Sequence, residues 1–227
     1  MHIICTIKIT KRTAKTLRNE QETNNMAKIN FYNIDCMEFM RDKPDNYYDL
    51  AIVDPEFGIG IGNSPRLVTD KGLKAKEWDN KPIDMKYFYE LFRVSKNKII
   101  WGGNYYALPP TKHCIVWDKK QPEEMSFGMF DYAWTSFDGA NKMYRKSVQD
   151  EQNKIHPTQK PVKLYRWLLQ KYAKLGMKIL DTHGGSMSIA IACDLEGFDL
   201  DICEIDKEYF EKGVQRYELY KQQLRLF

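Results

Sequence analysis

Three short runs in this chain carry residues that could do chemistry together. Asp54-Pro55-Glu56-Phe57 sets a carboxylate, a fixed turn and an aromatic ring at the end of an apolar strand, Asp49 to Val53. Asp181-Thr182-His183-Gly184-Gly185-Ser186-Met187 sets a second carboxylate and two glycines between a short strand, Met177 to Leu180, and a helix from Met187 to Leu195. Ser186 can cap that helix and Gly197 stops it. The third run, His156-Pro157-Thr158-Gln159-Lys160-Pro161, leads into another helix with Pro161 in its first turn. After the glycine turn, the strand from Phe198 to Ile205 delivers Glu204 about twenty residues on, where nucleotide-binding units use a carboxylate to accept from ribose hydroxyls. The expected ligand is therefore a nucleoside-containing cofactor. The turn lacks the G-x-G-x-x-G spacing that admits a pyrophosphate, and Asp181 at its mouth would repel one. The same charge would favour a cofactor that is itself positive, such as a sulfonium.

Each of these residues also has a plainer use. Asp-Pro after a strand is an ordinary turn, Thr158 can cap the helix that follows it, and Glu204 can be a solvated strand-end charge. Glycines and a cap serve any buried strand that meets a helix. His156 and His183 have no carboxylate-and-nucleophile set around them in the sequence, so a hydrolase triad is not expected.

The elements that must position these runs follow from hydrophobic period and turn residues. Further strands are expected at 28–34, 49–53, 98–101, 114–118 and 132–137, and helices at 36–41, after the Asp84 cap, after Pro161 and from the Asp206 cap toward Leu224. The strands at 114–118 and 132–137 read as a hairpin, and 138–155 as irregular. Elsewhere strands alternate with helices, which predicts an α/β fold: a mostly parallel sheet with helices on both faces and one antiparallel strand. No strand follows the last helix, so the N-terminal strand must complete the nucleotide-binding side of the sheet. That is a circularly permuted Rossmann-like order, and it brings Asp35 toward the cofactor pocket. The 58–82 stretch is long for a connection and reads as a lid or recognition loop.

With 227 residues and 43% hydrophobic composition, the chain can bury one sizeable core, read as a single domain over 26–227. Residues 1–25 read as a disordered or non-native extension ahead of Met26, with a phosphate-binding arm as the other use. Lys8, Lys11, Arg12, Lys15 and Arg18 against Glu20 and Glu22 place most of the net charge of +4 in this arm, so global charge is weak evidence for nucleic acid. No apolar run reaches the roughly 18 residues that span a bilayer, and the arm has neither the apolar core nor the cleavage site of a secretory signal. Five cysteines without a CxxC pair argue for reduced cytosol and against zinc. The expectation is a cytoplasmic protein with no membrane and no metal.

Taken together and in this order, the three runs resemble the β-class of DNA amino-methyltransferases, over about residues 28–210. In that family an Asp/Ser-Pro-Pro-aromatic motif comes first, then a recognition region, a His-Pro-Thr-Gln-Lys-Pro-like segment and last the cofactor glycine motif. The resemblance implies a Rossmann-like methyltransferase fold that uses S-adenosylmethionine to methylate the exocyclic amino group of adenine (N6) or cytosine (N4) in double-stranded DNA. It is similar to small members of restriction-modification systems on phages or mobile elements. It implies catalytic roles for Asp54, Pro55 and Phe57: the carboxylate and the proline carbonyl accept from the amino hydrogens, and the ring stacks on a flipped-out base. By the same resemblance Asp181, Gly185 and Ser186 bind the cofactor at its methionine end, Glu204 takes its ribose, and Asp35 lies near its adenine. Thr158 and Lys160 contact the cofactor carboxylate or hold the helix entrance. Asp rather than Ser before the proline leans toward adenine.

Two positions depart from the family pattern. Glu56 stands where a second proline is usual, and Met187 where a glycine is frequent. Glu56 is expected to loosen the turn and set a negative charge toward the DNA, and Met187 to hold the backbone at φ < 0 and crowd the cofactor. Both would weaken turnover, so a relative that binds cofactor or DNA without efficient transfer is the competing reading; a nucleotide-dependent oxidoreductase is the third. The recognition region is expected at about 119–155, with Lys119, Lys120, Lys142, Arg145 and Lys146, although the acids among them suit a solvated surface equally. So short a region leaves few base contacts or calls for a homodimer.

Overall fold

A computed structural model of the chain describes residues 27–60, 79–124, 128–148 and 154–224. The expectations for residues 1–25, for most of 58–82 and for parts of 119–155 lie outside the described residues. The strands are β1 (Ile29–Tyr32), β2 (Tyr48–Val53), β3 (Ser95–Trp101), β4 (Cys114–Asp118), β5 (Phe130–Thr135), β6 (Lys142–Arg145), β7 (Lys178–Asp181) and β8 (Asp199–Cys203). The helices are α1 (Cys36–Arg41), α2 (Met85–Val94), α3 (Val162–Tyr172), α4 (Ser188–Glu196) and α5 (Lys207–Leu224). The strands form one sheet in the order β1-β8-β7-β2-β3-β5-β4-β6, and β5 alone runs antiparallel to its neighbours. The N-terminal strand closes the β7-β8 side, pairing from Ile29 with Leu200 to Tyr32 with Cys203, as the permuted order requires.

Alternate strand residues sort to opposite faces. Leu50 and Ile52 of β2, Ile99 and Trp101 of β3 and Leu200 and Ile202 of β8 pack with Leu164 and Leu168 of α3 and Ile189 of α4. Ala51, Val53 and Ile100 pack on the other face with Phe39 and Met40 of α1 and Tyr87, Phe88 and Leu91 of α2. A parallel sheet covered on both sides reads as continuous apolar runs. β6 is the exception. Residues 142–145 were expected to be irregular, yet they pair in parallel with β4 from Ile115 with Lys142 to Asp118 with Arg145. As an edge strand β6 is largely exposed, so it needs none of the apolar alternation by which a strand is recognised. Among the described residues no helix is long and apolar enough to cross a membrane.

Two expected caps are not made. α3 starts from Pro161 at its N-cap with no side-chain capping bond, so Thr158 does not cap it. α4 starts at Ser188, one residue later than expected, and its N-cap is Met187. The Ser186 hydroxyl instead lies 3.0 Å from that of Ser188. Met187 is not held at φ < 0: it sits in the left-handed region, φ 57°, which costs a non-glycine residue about 1–2 kcal/mol. Complete burial of its side chain offsets that strain. The first carbons of the side chain fill the space beside Gly213 of α5, where an added Cβ would come within 2.5 Å of Met187 Cγ, and its sulfur and methyl lie against Gly184. Gly213→Ala should therefore destabilise the fold by about 1–3 kcal/mol in spite of alanine's better helix propensity. In a Met187→Gly background the penalty of the same change should shrink, as read from denaturation midpoints of the four proteins.

Candidate active site

With both faces covered, the carboxyl ends of the strands are the open edge, and Asp54, Asp181 and Glu204 lie at the ends of β2, β7 and β8. Asp54 receives the ammonium of Lys160 on Oδ2. Its other oxygen, Oδ1, is buried and has no hydrogen-bond partner among the described residues. Burial pushes the Asp54 carboxyl above the usual carboxylate range, and Lys160 acts against that shift. Lys160 is 3% exposed; it also lies 4.0 Å from Asp131 Oδ2 and over the rings of Trp101 (5.2 Å) and Phe57 (6.0 Å). The Pro55 carbonyl accepts from the Tyr106 hydroxyl at 2.9 Å, and the Glu56 carbonyl accepts from the same hydroxyl at 3.0 Å. Phe57 is stacked on Tyr105, with centroids 5.0 Å apart and planes at 14°. Gly102, at φ 70°, has no side chain because the Phe57 ring occupies the place of its Cβ.

The glycine turn is built around Glu204. Gly185 N–H donates to Glu204 Oε2 and Asp206 N–H to Oε1, each at 2.8 Å, so both oxygens hold the backbone and keep lone pairs for a ligand. Asp181 is buried beneath the turn and accepts from His183 N–H at 3.0 Å; burial raises its pKa to about 7. Beside the turn opens a cavity of about 350 Å³, within the range of small-molecule sites, whose wall includes Asp35, Glu56, Tyr87, Thr182, His183 and Glu204. Asp35 reaches it while its Oδ1 caps α1, accepting from Met37 N–H and Glu38 N–H.

Of the residues expected to bind a cofactor, Asp35 and Glu204 line this cavity. Asp181, Gly185 and Ser186 support the turn from behind: Gly185 through Glu204, and Ser186 through Arg216, which donates to its carbonyl at 2.7 Å. Thr158 and Lys160 are not in its wall: Thr158 Oγ1 is 3.1 Å from His156 Nδ1, and Lys160 is on Asp54. Glu56, expected to face DNA, turns into the cavity with Oε2 3.4 Å from His183 Nε2. His183 thus has a carboxylate partner that the sequence did not suggest. Its Nδ1 lies 2.9 Å from Thr182 Oγ1, which is 2.6 Å from the Tyr87 hydroxyl. The run Gly102-Gly103-Asn104-Tyr105-Tyr106 after β3 was the overlooked signal for the aromatic part of the site, since it ends a strand at the same sheet edge as Asp54.

The family model for N6/N4 DNA methylases matches residues 8–215. The chain belongs to this DNA methylase family. YubD, a candidate methylase of Escherichia coli (strain K12), is 23% identical to this DNA methylase over 201 residues, 80% of this chain and 87% of YubD. Two solved structures share the fold. The M1.HpyAVI–SAM complex has a TM-score of 0.56 at 22% identity, covering 83% of this chain and 99% of that one. The cytosine-N4-specific PvuII DNA methyltransferase has a TM-score of 0.58 at 13% identity, covering 85% and 87%.

The Glu56–His183 pair has a defined pH signature. Burial opposes both charges, but each partner outweighs it: His183 holds Glu56 below the usual range, and Glu56 with Cys36 holds His183 well above 6.5. A raised histidine pKa stabilises the fold fully below the unfolded value and is lost as pH rises through the folded one. A lowered glutamate pKa stabilises above the unfolded 4.5 and is lost as pH falls through the folded one. The pair therefore contributes most between about pH 4.5 and 6.5. Glu56→Gln should lower stability by on the order of 1 kcal/mol in that window. The difference from wild type should fade at pH values above the raised His183 pKa, measured by thermal denaturation from pH 5 to 9.

Proposed function

We propose that this DNA methylase transfers a methyl group from S-adenosylmethionine to N6 of adenine in double-stranded DNA. The observation that carries the reading is Asp54: a largely buried carboxylate at the sheet's carboxyl edge, with Oδ2 bound by Lys160 and the buried Oδ1 free to accept. S-adenosylmethionine supplies an electrophilic methyl group on a sulfonium. Its adenosine suits the cavity, with Glu204 accepting from ribose hydroxyls and Asp35 near the adenine. Four carboxylates, Asp35, Glu56, Asp84 and Glu204, against Lys86 and His183 favour a ligand that carries positive charge.

An aromatic amine is a poor nucleophile because its lone pair is delocalised into the ring. Two acceptors aimed at its hydrogens favour the pyramidal geometry in which the pair is free. Asp54 Oδ1 is one. The second is the Pro55 carbonyl, which keeps a lone pair beyond the one that Tyr106 uses. Tyr105, 47% exposed and stacked on Phe57, marks the place that a flipped base would take by displacing it. The aspartate before the proline favours adenine over cytosine.

The test is to incubate unmethylated genomic DNA with the protein and labelled S-adenosylmethionine and to identify the methylated base. N6-methyladenine is expected; N4-methylcytosine would reassign the substrate, and cofactor binding without transfer would favour the weakened relative. Asp54→Ala should lower transfer by more than about a hundredfold with cofactor affinity within a few-fold. Glu204→Ala should weaken cofactor binding about tenfold to a hundredfold, read by calorimetry.

A further inference from the structure

We propose that Lys160 is a positioning residue for methyl transfer: by binding Oδ2 of Asp54 it leaves Oδ1 as the acceptor for the amino group of the target base. The inference rests on Asp54 being that acceptor, and it assigns Lys160 to the target-base side of the reaction instead of to the cofactor. An ammonium that is 3% exposed requires a partner. The other carboxylate in reach, Asp131, stands 4.0 Å away and already binds Lys119 at 2.6 Å. The faces of Trp101 and Phe57 complete the surroundings and leave Asp54 as the direct counter-charge.

The lysine is aimed by a loop that ties itself together. Gln159 N–H donates to the His156 carbonyl at 3.2 Å, the Gln159 side-chain oxygen accepts from Ile155 N–H at 3.2 Å, and Pro161 then opens α3. A carboxylate held at one oxygen by a fixed cation can present the other in one direction. Among the described residues Oδ1 is buried without a donor, a state that is costly unless a donor arrives, and an exocyclic amine is such a donor.

In the transfer step the amine nitrogen bonds the methyl carbon, and the carbon–sulfur bond breaks with its electron pair passing to sulfur. The proton that the methylated nitrogen must lose goes to Asp54 Oδ1 and from there to solvent. Lys160 keeps its own proton throughout, and its charge restores the Asp54 carboxylate for the next turnover. The titratable groups facing Asp54 are Lys160 before α3, Tyr165 on α3, Tyr106 after β3, Asp131 on β5, and Asp181 and His183 at the end of β7. The tyrosines stay neutral. Without Lys160, burial and the two aspartates are opposed by His183 alone, so the Asp54 pKa rises.

The experiment is the pH profile of kcat for wild type, Lys160→Met and Lys160→Arg, with the cofactor dissociation constant measured beside it. Lys160→Met should move the acid limb up by about one pH unit or more and lower kcat at neutral pH by about tenfold or more, with cofactor affinity within threefold. Lys160→Arg, which keeps the charge, should leave the limb in place and lose rate only through altered geometry. Should Lys160→Met fail to fold, Lys160→Gln gives Asp54 a neutral donor and should show the same upward shift. An unshifted limb with wild-type kcat in the Met or Gln variant overturns the proposal, as does a loss of cofactor affinity at unchanged kcat, which would return Lys160 to the cofactor. A wild-type protein that transfers no methyl group, or an active Asp54→Ala protein, would instead refute the reading of the site on which the proposal rests.

Discussion

Burying a carboxylate at the end of a parallel strand disfavours its charged form, and the chain meets that constraint with Lys160, brought to Asp54 from 106 residues away. The contact gathers four parts of the fold at one point. It holds the loop before α3 against the end of β2, places the ammonium over Trp101 of β3 and Phe57, and sets it near Asp131 of β5. Neither partner is independent of the other. Removing one member of a buried pair leaves an uncompensated charge and costs about 3–5 kcal/mol, so the order of this edge and the stability of the sheet end are one problem.

The tetrapeptide after β2 is fixed by contacts where a second proline would fix it covalently. The Tyr106 hydroxyl bonds the carbonyls of both Pro55 and Glu56, Lys160 holds Asp54, and His183 holds Glu56. A proline at 56 would set φ but could not reach the glycine turn. Glutamate does reach it, so the strand-end motif and the glycine turn are coupled through an ion pair in the cavity wall. On this geometry Glu56 lines the cavity beside the glycine turn, and its charge is balanced by His183.

The sheet was legible where it is buried on both faces: the run DLAIV carries the signal, and β1 takes the place beside β8 that the permuted order predicts. β6 was not legible, because an exposed edge strand imposes no apolar period on its residues. The order of the motifs gave the chemistry, but not which carboxylate a lysine on a flexible four-carbon stem would reach. Hydroxyls misled for a related reason. Ser186 and Thr158 stand at cap-like positions, yet Ser188 and His156 satisfy them locally. At Met187 the backbone was expected at φ < 0, yet it keeps a left-handed conformation, and burial of the side chain, whose Cγ lies against Gly213 of α5, offsets the strain.

Asp181 lies between the two halves of the site and belongs wholly to neither. Its charged form is disfavoured by burial first, and Asp54 and Glu204 add to that, while the His183 N–H opposes them; the balance puts its pKa at about 7. Lys160 answers the charge of Asp54, and two backbone N–H groups answer that of Glu204. Asp181 has one such donor, and near neutral pH it therefore stands close to the midpoint between acid and anion. A neutral ligand beside it would leave that balance unchanged. A sulfonium would favour the anion, and the anion in turn would favour the sulfonium, so on the proposed chemistry the turn's carboxylate responds to the very charge that distinguishes the methyl donor from its demethylated product.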